Sequence, residues 1–304
     1  YNGTSAQITG DGLPAAVRHL TIDNSAGVTL SSALAATDYI TLTDGALSTG
    51  SNTLTLGSSA GSVGTLTCTN GKIIGSFKRW LADQTANDII FPLGTSDHNR
   101  TVNISFTSAP NTGGTLTTEF FAANPGANGL PLNDQDTAIV SVLPDGYWSI
   151  SAEDGLAGGS YDLDISADGF THFASHTSLH LLKRADQNSN WTLDGSHTQT
   201  SGSNLHPVIH RVGLAGFSEF GIGTSEDIPS PPAAGDGTSG NPYQIATLEN
   251  LYWIAEDSDR WGHHYIQTAD IDASDTVDWF GGRGWDPIGY WIWTLQVPFS
   301  GSYN

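Results

Sequence analysis

The chain has 304 residues, with 31 acidic side chains against 10 Lys or Arg and a formal net charge of -21. Such a field repels nucleic acid and anionic lipid, which excludes both as partners. No apolar run approaches the roughly 20 residues of a membrane helix, so no helical membrane insertion is expected.

Charged residues make up only 13% of the chain, so the acidity sits on a Gly-, Ser- and Thr-rich background. That composition suits an extracellular surface. Cys68 is the single cysteine, which rules out a Cys-rich zinc site or a disulfide scaffold. Methionine is absent even at position 1, which reads as a processed product or a fragment.

From the N-terminus the dipeptide Thr-Leu recurs at Thr29-Leu30, Thr41-Leu42, Thr53-Leu54 and Thr65-Leu66, a period of twelve. Gly, Ser, Asn and Asp fill the intervals, as in short strands separated by turns. Fixed-period self-similarity points to a repeat architecture. Poor helix formers and the lack of a 3.6-residue stripe argue against helices. Residues 1–82 are therefore expected to form a β-solenoid, with two twelve-residue units per rung. Leu would face inward and Thr outward, with Asn24, Asn52 and Asn70 at turns. An antiparallel meander is the competing arrangement. Cys68 alternates with Leu66 and is expected to be a small buried hydrophobe.

From 83 to 223 the segments "IIFPLG", "TVNISF", "TLTTEFF", "AIVSVL", "GYWSIS", "SYDLDIS", "SLHLLKR", "WTLDG", "HPVIHRV" and "FSEFGIG" follow one another. Most alternate apolar and polar residues, the pattern of an antiparallel β-sandwich. Trp148, Trp191, Phe170 and Phe217 are its expected core anchors.

Four groups along the chain carry possible chemistry. Asp186, Asn188 and Asn190, with Asp194 further on, resemble the start of a Ca²⁺ loop. Trp191 replaces the usual glycine, and no glutamate closes the loop. Asp162 and Asp164 lie two apart on one strand face, as do Asp270 and Asp272, a placement poor for a glycosidase acid and base. His172, His176 and His180 would converge as zinc ligands on a helix, but "SLHLL" alternates as a strand, so structural roles are expected. No Gly-x-Ser-x-Gly elbow, P-loop, dinucleotide fingerprint or His-Glu-x-x-His occurs, and no catalytic site or cofactor is expected beyond the Ca²⁺ candidate.

Residues 224–242 hold four prolines among Gly, Ser and Asp and read as a semi-rigid linker. In 243–304, Thr247 caps a short amphipathic helix with Leu248, Leu251, Trp253 and Ile254 apolar, and "HYIQTADIDA" follows as a strand. Trp279, Trp285, Tyr290, Trp291 and Trp293 then cluster, suiting an interface or a sugar platform.

"GTSGNPYQIATLENLYWIAE", "YIQTADIDAS", "WDPIG" and "PFSGSYN" resemble the opening of GLUG-type β-solenoids of bacterial surface adhesins. The resemblance implies that 243–304 are a capping helix and the first strands of a second solenoid, cut short. "FPLGT", "GYWSIS", "LLKRADQNSNWTLDG" and "GLAGFSEFGIG" resemble a sandwich module of type IX-secreted Bacteroidota proteins, and "LTIDNSAGVTLSSALAATDYITLTDG" resembles the solenoid that precedes it. Together they imply an all-β, cell-surface, structural or adhesive protein without a catalytic site. Head-to-tail self-association into fibres is its expected mode of assembly. The alternative function is a carbohydrate-binding section of a secreted protein that acts on polysaccharides, with surface glycans as partners.

Overall fold

A computed structural model describes residues 1–85, 88–173, 175–225, 229–274, 276, 288–289, 291–292, 295–296 and 298–304. The protein is all-β, with one α-helix among the described residues. It divides into two compact units: one of 1–171 and 176–224, the other of 172–175 and 225–304.

The first unit opens with β1 (Gln7–Ile8), β2 (Ala16–Asp23), β3 (Val28–Thr29), β4 (Leu34–Asp44), β5 (Ala46–Leu56), β6 (Thr65–Cys68) and β7 (Lys72–Leu81). All pair in parallel, as a solenoid requires. Three columns of paired residues run along the stack, one per face. Gln7, Val28, Leu47 and Ile73 form one, Ala16, Ala35, Thr55 and Lys78 the second, and Leu20, Ile40 and Leu66 the third. Successive partners lie 19 to 26 residues apart.

Three expectations change here. The rung has three sides rather than two twelve-residue units, and the Thr-Leu copies do not stack on one another. Thr29 lies opposite Ser48, and Thr41 opposite Thr21 and Thr67. The dipeptide recurs because each rung needs β-branched residues outside and aliphatics inside, not because the rung has that length. The inner aliphatic ladder is present: Ile22, Ile40, Leu42, Leu47, Leu54, Leu56, Ile73 and Phe77 are fully buried. Asn24 and Asn52 brace successive rungs, their amides donating to the carbonyls of Ser5 (2.9 Å) and Leu30 (3.3 Å). Cys68 is exposed, not buried, because it lies on the edge strand β6. Its sulfur turns back to donate to the Gly71 carbonyl at 3.0 Å, and partial desolvation of the sulfur by its surroundings raises the thiol above its usual pKa.

No break separates the solenoid from the sandwich. Residues 76–79 of β7 continue one solenoid face, while 77–81 pair antiparallel with β10 (Gly114–Phe121). The remaining strands of the unit are β8 (Ile89–Phe91), β9 (Val102–Ser108), β11 (Leu132–Asp134), β12 (Thr137–Ile139), β13 (Ser141–Val142), β14 (Tyr147–Glu153), β15 (Ser160–Ser166), β16 (Leu179–Arg184), β17 (Ser196–Gly202), β18 (Pro207–Leu214) and β19 (Glu219–Thr224). The solenoid face therefore runs on as β7-β10-β14-β19-β16, and β17-β18-β15-β9-β8 form the second sheet. Trp148, Phe170 and Trp191 are buried core anchors, while Phe217 is half-buried and stacks on Tyr161. The Trp148 indole donates to the Arg100 carbonyl, and the Arg100 guanidinium sits over Phe120 and Phe170. "WTLDG" is a loop, and the strand lies one step later in "SHTQTSG".

In the second unit β20 (Tyr243–Ile245) leads into α1 (Leu248–Ala255), whose N-cap Thr247 accepts from the Asn250 amide at 3.3 Å. Then β21 (His264–Gln267) pairs in parallel with β20 and with β24 (Ser302–Tyr303), while β22 (Trp291–Ile292) and β23 (Leu295–Gln296) form a hairpin. Ile245, Ile254, Trp261 and Tyr265 make this unit's core. β21 ends at Gln267, so Asp270 and Asp272 do not share a strand face. The Asp272 carboxylate instead caps the Ser274 amide.

Candidate functional site

The sandwich encloses a cluster of ionisable side chains. Asp134 at the end of β11, His180 on β16 and Arg211 on β18 are all at least 95% buried. Arg211 donates to both Asp134 oxygens, at 2.6 and 3.4 Å, and His180 Nδ1 lies 3.0 Å from Oδ2. His197 on β17 stacks on the His180 ring at 3.8 Å and 23°. Burial opposes the charge on Asp134, but its hydrogen bonds to Arg211 and His180 outweigh it and hold the carboxyl below the usual range. Burial, reinforced by His180, pulls His197 down to about 4, so it is neutral at pH 7. Its Nδ1 is buried and makes no hydrogen bond.

Donor atoms of Asp134, His180 and His197 lie within 4.8 Å of one another. They do not fit a tetrahedral metal. A metal binds imidazole nitrogen in the plane of the ring, and near-parallel stacked rings have lone pairs that do not converge on one point. The Asp134 oxygens are also already taken by a guanidinium. The cluster is instead an ionic lock joining the β11–β12 hairpin to strands of both sheets.

The calcium candidates are employed by the chain itself. Asp186 Oδ1 accepts from the Asn188 amide and the Ser189 hydroxyl, closing the hairpin loop after β16. Asp194 Oδ2 accepts from Lys183 Nζ at 2.6 Å and from the Ala215 amide at 3.2 Å. These oxygens order a loop and pair a lysine. Asn190 lies against Gly129. The histidines at 172, 176 and 180 are not gathered: His176 bonds Asn204, while His180 enters the lock. Trp279, Trp285, Tyr290 and Trp293 lie outside the described residues, as does the side chain of Trp291.

Two further arrangements lie on the surface. Asp162 and Asp164 face outward from β15, and neither bonds the other: Asp162 accepts from the Gly213 amide, and Asp164 lies 2.7 Å from His210 Nδ1. The outer face of the continuous sheet carries an open groove of about 510 Å³, floored by Ala35, Thr55, Ser76 and Thr117 and flanked by Lys78 and Glu153. Lys78 Nζ pairs with Glu153 at 2.6 Å and Asp154 at 3.2 Å, and the buried Thr117 hydroxyl has no hydrogen-bond partner.

No family model matches the chain, and no solved structure matches it. Among curated proteins it is similar to halomucin of Haloquadratum walsbyi, at 43% identity over 72 residues, or 23% of this chain. The chain spans about 1% of the length of that relative.

Proposed function

We propose that the chain is a section of an extracellular, type IX-exported surface protein, serving as a stalk or filament building block. The observation that carries this reading is the uninterrupted sheet from solenoid into sandwich, which suits an element that bears load along its length. The acidic, lysine-poor composition, the resemblance to adhesin solenoids and the stretch shared with halomucin add support. Head-to-tail association of copies belongs to the same reading, since parallel rung edges offer rows of backbone donors and acceptors. Brief protease treatment of intact native cells tests it. Peptides from 1–224 should be released before lysis, and their release only after lysis would refute surface display.

The glycan-binding alternative has the groove in its favour. Threonine and serine hydroxyls beside an ammonium and a carboxylate are groups that hydrogen-bond sugars. Titration of a neutral oligosaccharide panel should then give binding that Thr55→Trp abolishes by filling the groove. Equal binding by the variant would remove the groove from the account.

A further inference from the structure

Ser201 on β17, His210 on β18 and Asp164 on β15 stand in a row across three neighbouring strands of the second sheet. Ser201 Oγ is 2.7 Å from His210 Nε2, and His210 Nδ1 is 2.7 Å from Asp164 Oδ1. Asn103, on the next strand, donates to the other Asp164 oxygen at 3.4 Å. We propose that these residues form an acyl-transfer site on the outer face of the sandwich, with Ser201 as nucleophile, His210 as general base and Asp164 as the carboxylate that orients it. Its substrates are carboxylic esters, neutral or cationic ones given the net charge of -21.

Geometry and roles, not position in a chain, define a nucleophile–base–orienter set. Here serine and aspartate use different nitrogens of one ring. A proton on Nδ1 is donated to Asp164, which leaves the Nε2 lone pair for the serine hydroxyl. That single tautomer satisfies both 2.7 Å contacts.

A β-bulge makes the arrangement. Thr198 lies opposite His210, but the next pair is Ser201 opposite Val208, so β17 carries one extra residue. Without it, alternation would place Thr200 beside His210 on the outer face. The bulge sends Thr200 inward, where it is 3% exposed and donates to the Leu179 carbonyl at 2.9 Å, and turns Ser201 outward. Bulges that re-aim a side chain are over-represented beside active sites. The row is open to solvent: Ser201 is exposed, and the His210 and Asp164 side chains are 24% and 39% exposed.

In the reaction Ser201 Oγ bonds to the ester carbonyl carbon while its proton passes to His210 Nε2. Collapse of the tetrahedral adduct breaks the carbon–oxygen bond to the leaving alcohol, which takes the proton from Nε2. Water, deprotonated by His210, then attacks the acyl-serine, releasing the carboxylic acid and restoring Ser201.

The test is incubation of the full chain with p-nitrophenyl acetate, following nitrophenolate release and mapping acetylated peptides by mass spectrometry. One acetyl group on Ser201 is expected, formed about 100-fold more slowly in His210→Gln, as loss of a general base implies. Ser201→Ala should lose that label while other acetylated residues are unchanged. Asp164→Asn, which keeps size and shape, should also slow labelling, and it serves as the comparison if His210→Gln does not fold. An unlabelled Ser201 in the natural chain, with nitrophenolate release no faster than in Ser201→Ala, overturns the proposal. So does labelling at the same rate in the folded variants, which would leave the row as a surface hydrogen-bond ladder.

Discussion

The Asp134 carboxylate is held by a buried arginine and a buried histidine drawn from different strands. Removing one partner of such a pair strands a charge, so Asp134→Ala is expected to cost about 3–5 kcal/mol of unfolding free energy. Urea denaturation measures it, and a loss below 1 kcal/mol would show that the lock contributes little. The lock also sets an acid limit. His197 is held at about 4, below its ordinary 6.5, so the unfolded chain binds the proton more readily. Stability is then lost as pH falls from about 6.5 toward 4, and the lowered Asp134 acts in the same direction further down. The urea midpoint should drop between pH 7 and pH 4.5, and His197→Gln should flatten that slope. An unchanged slope would assign the acid sensitivity to other groups. Little of this was legible in the sequence. The strand alternation around His180 is plain, but its partner lies 46 positions away, and no spacing rule spans that distance.

At the level of elements the solenoid depends on corners with no room for a side chain. Gly45 has φ of +82°, and a Cβ there would stand 1.8 Å from the Asn24 carbonyl oxygen of the preceding rung. Gly45→Ala must therefore both strain the backbone and push rungs apart, a loss of at least about 1–3 kcal/mol. Thermal melting by circular dichroism checks it, with the open position Gly50 as a control for steric crowding. Elements with a strong apolar period were readable. They include β9, β14, β15 and β18, and α1 with its Thr247 cap. β17 was not, because "SHTQTSG" has no aliphatic or aromatic hydrocarbon side chain to alternate and gains its place by pairing with β18. The hidden strand carries His197 and Ser201, so the ring stacked on the lock and the surface row were hidden with it. The rung length was misread for a related reason. Composition repeats at each strand, whereas the register is set by corner glycines and asparagines that recur at unequal intervals.

For the molecule as a whole, the continuous sheet is what distinguishes a joined element from two domains on a string. Solenoid and sandwich were expected as separate segments meeting near residue 82, yet β7 belongs to both. Proteolysis should cut within 225–242, where composition favours an exposed linker, and leave 1–224 intact. Early cuts near residue 82 would speak against a shared sheet. Stretching 1–224 by its ends under force tests the central claim most directly. A shared sheet should give way in a single rupture that releases the whole unit, a contour gain of about 75 nm at the extended length per residue. Two well-separated ruptures, the first releasing only the solenoid, would contradict the account.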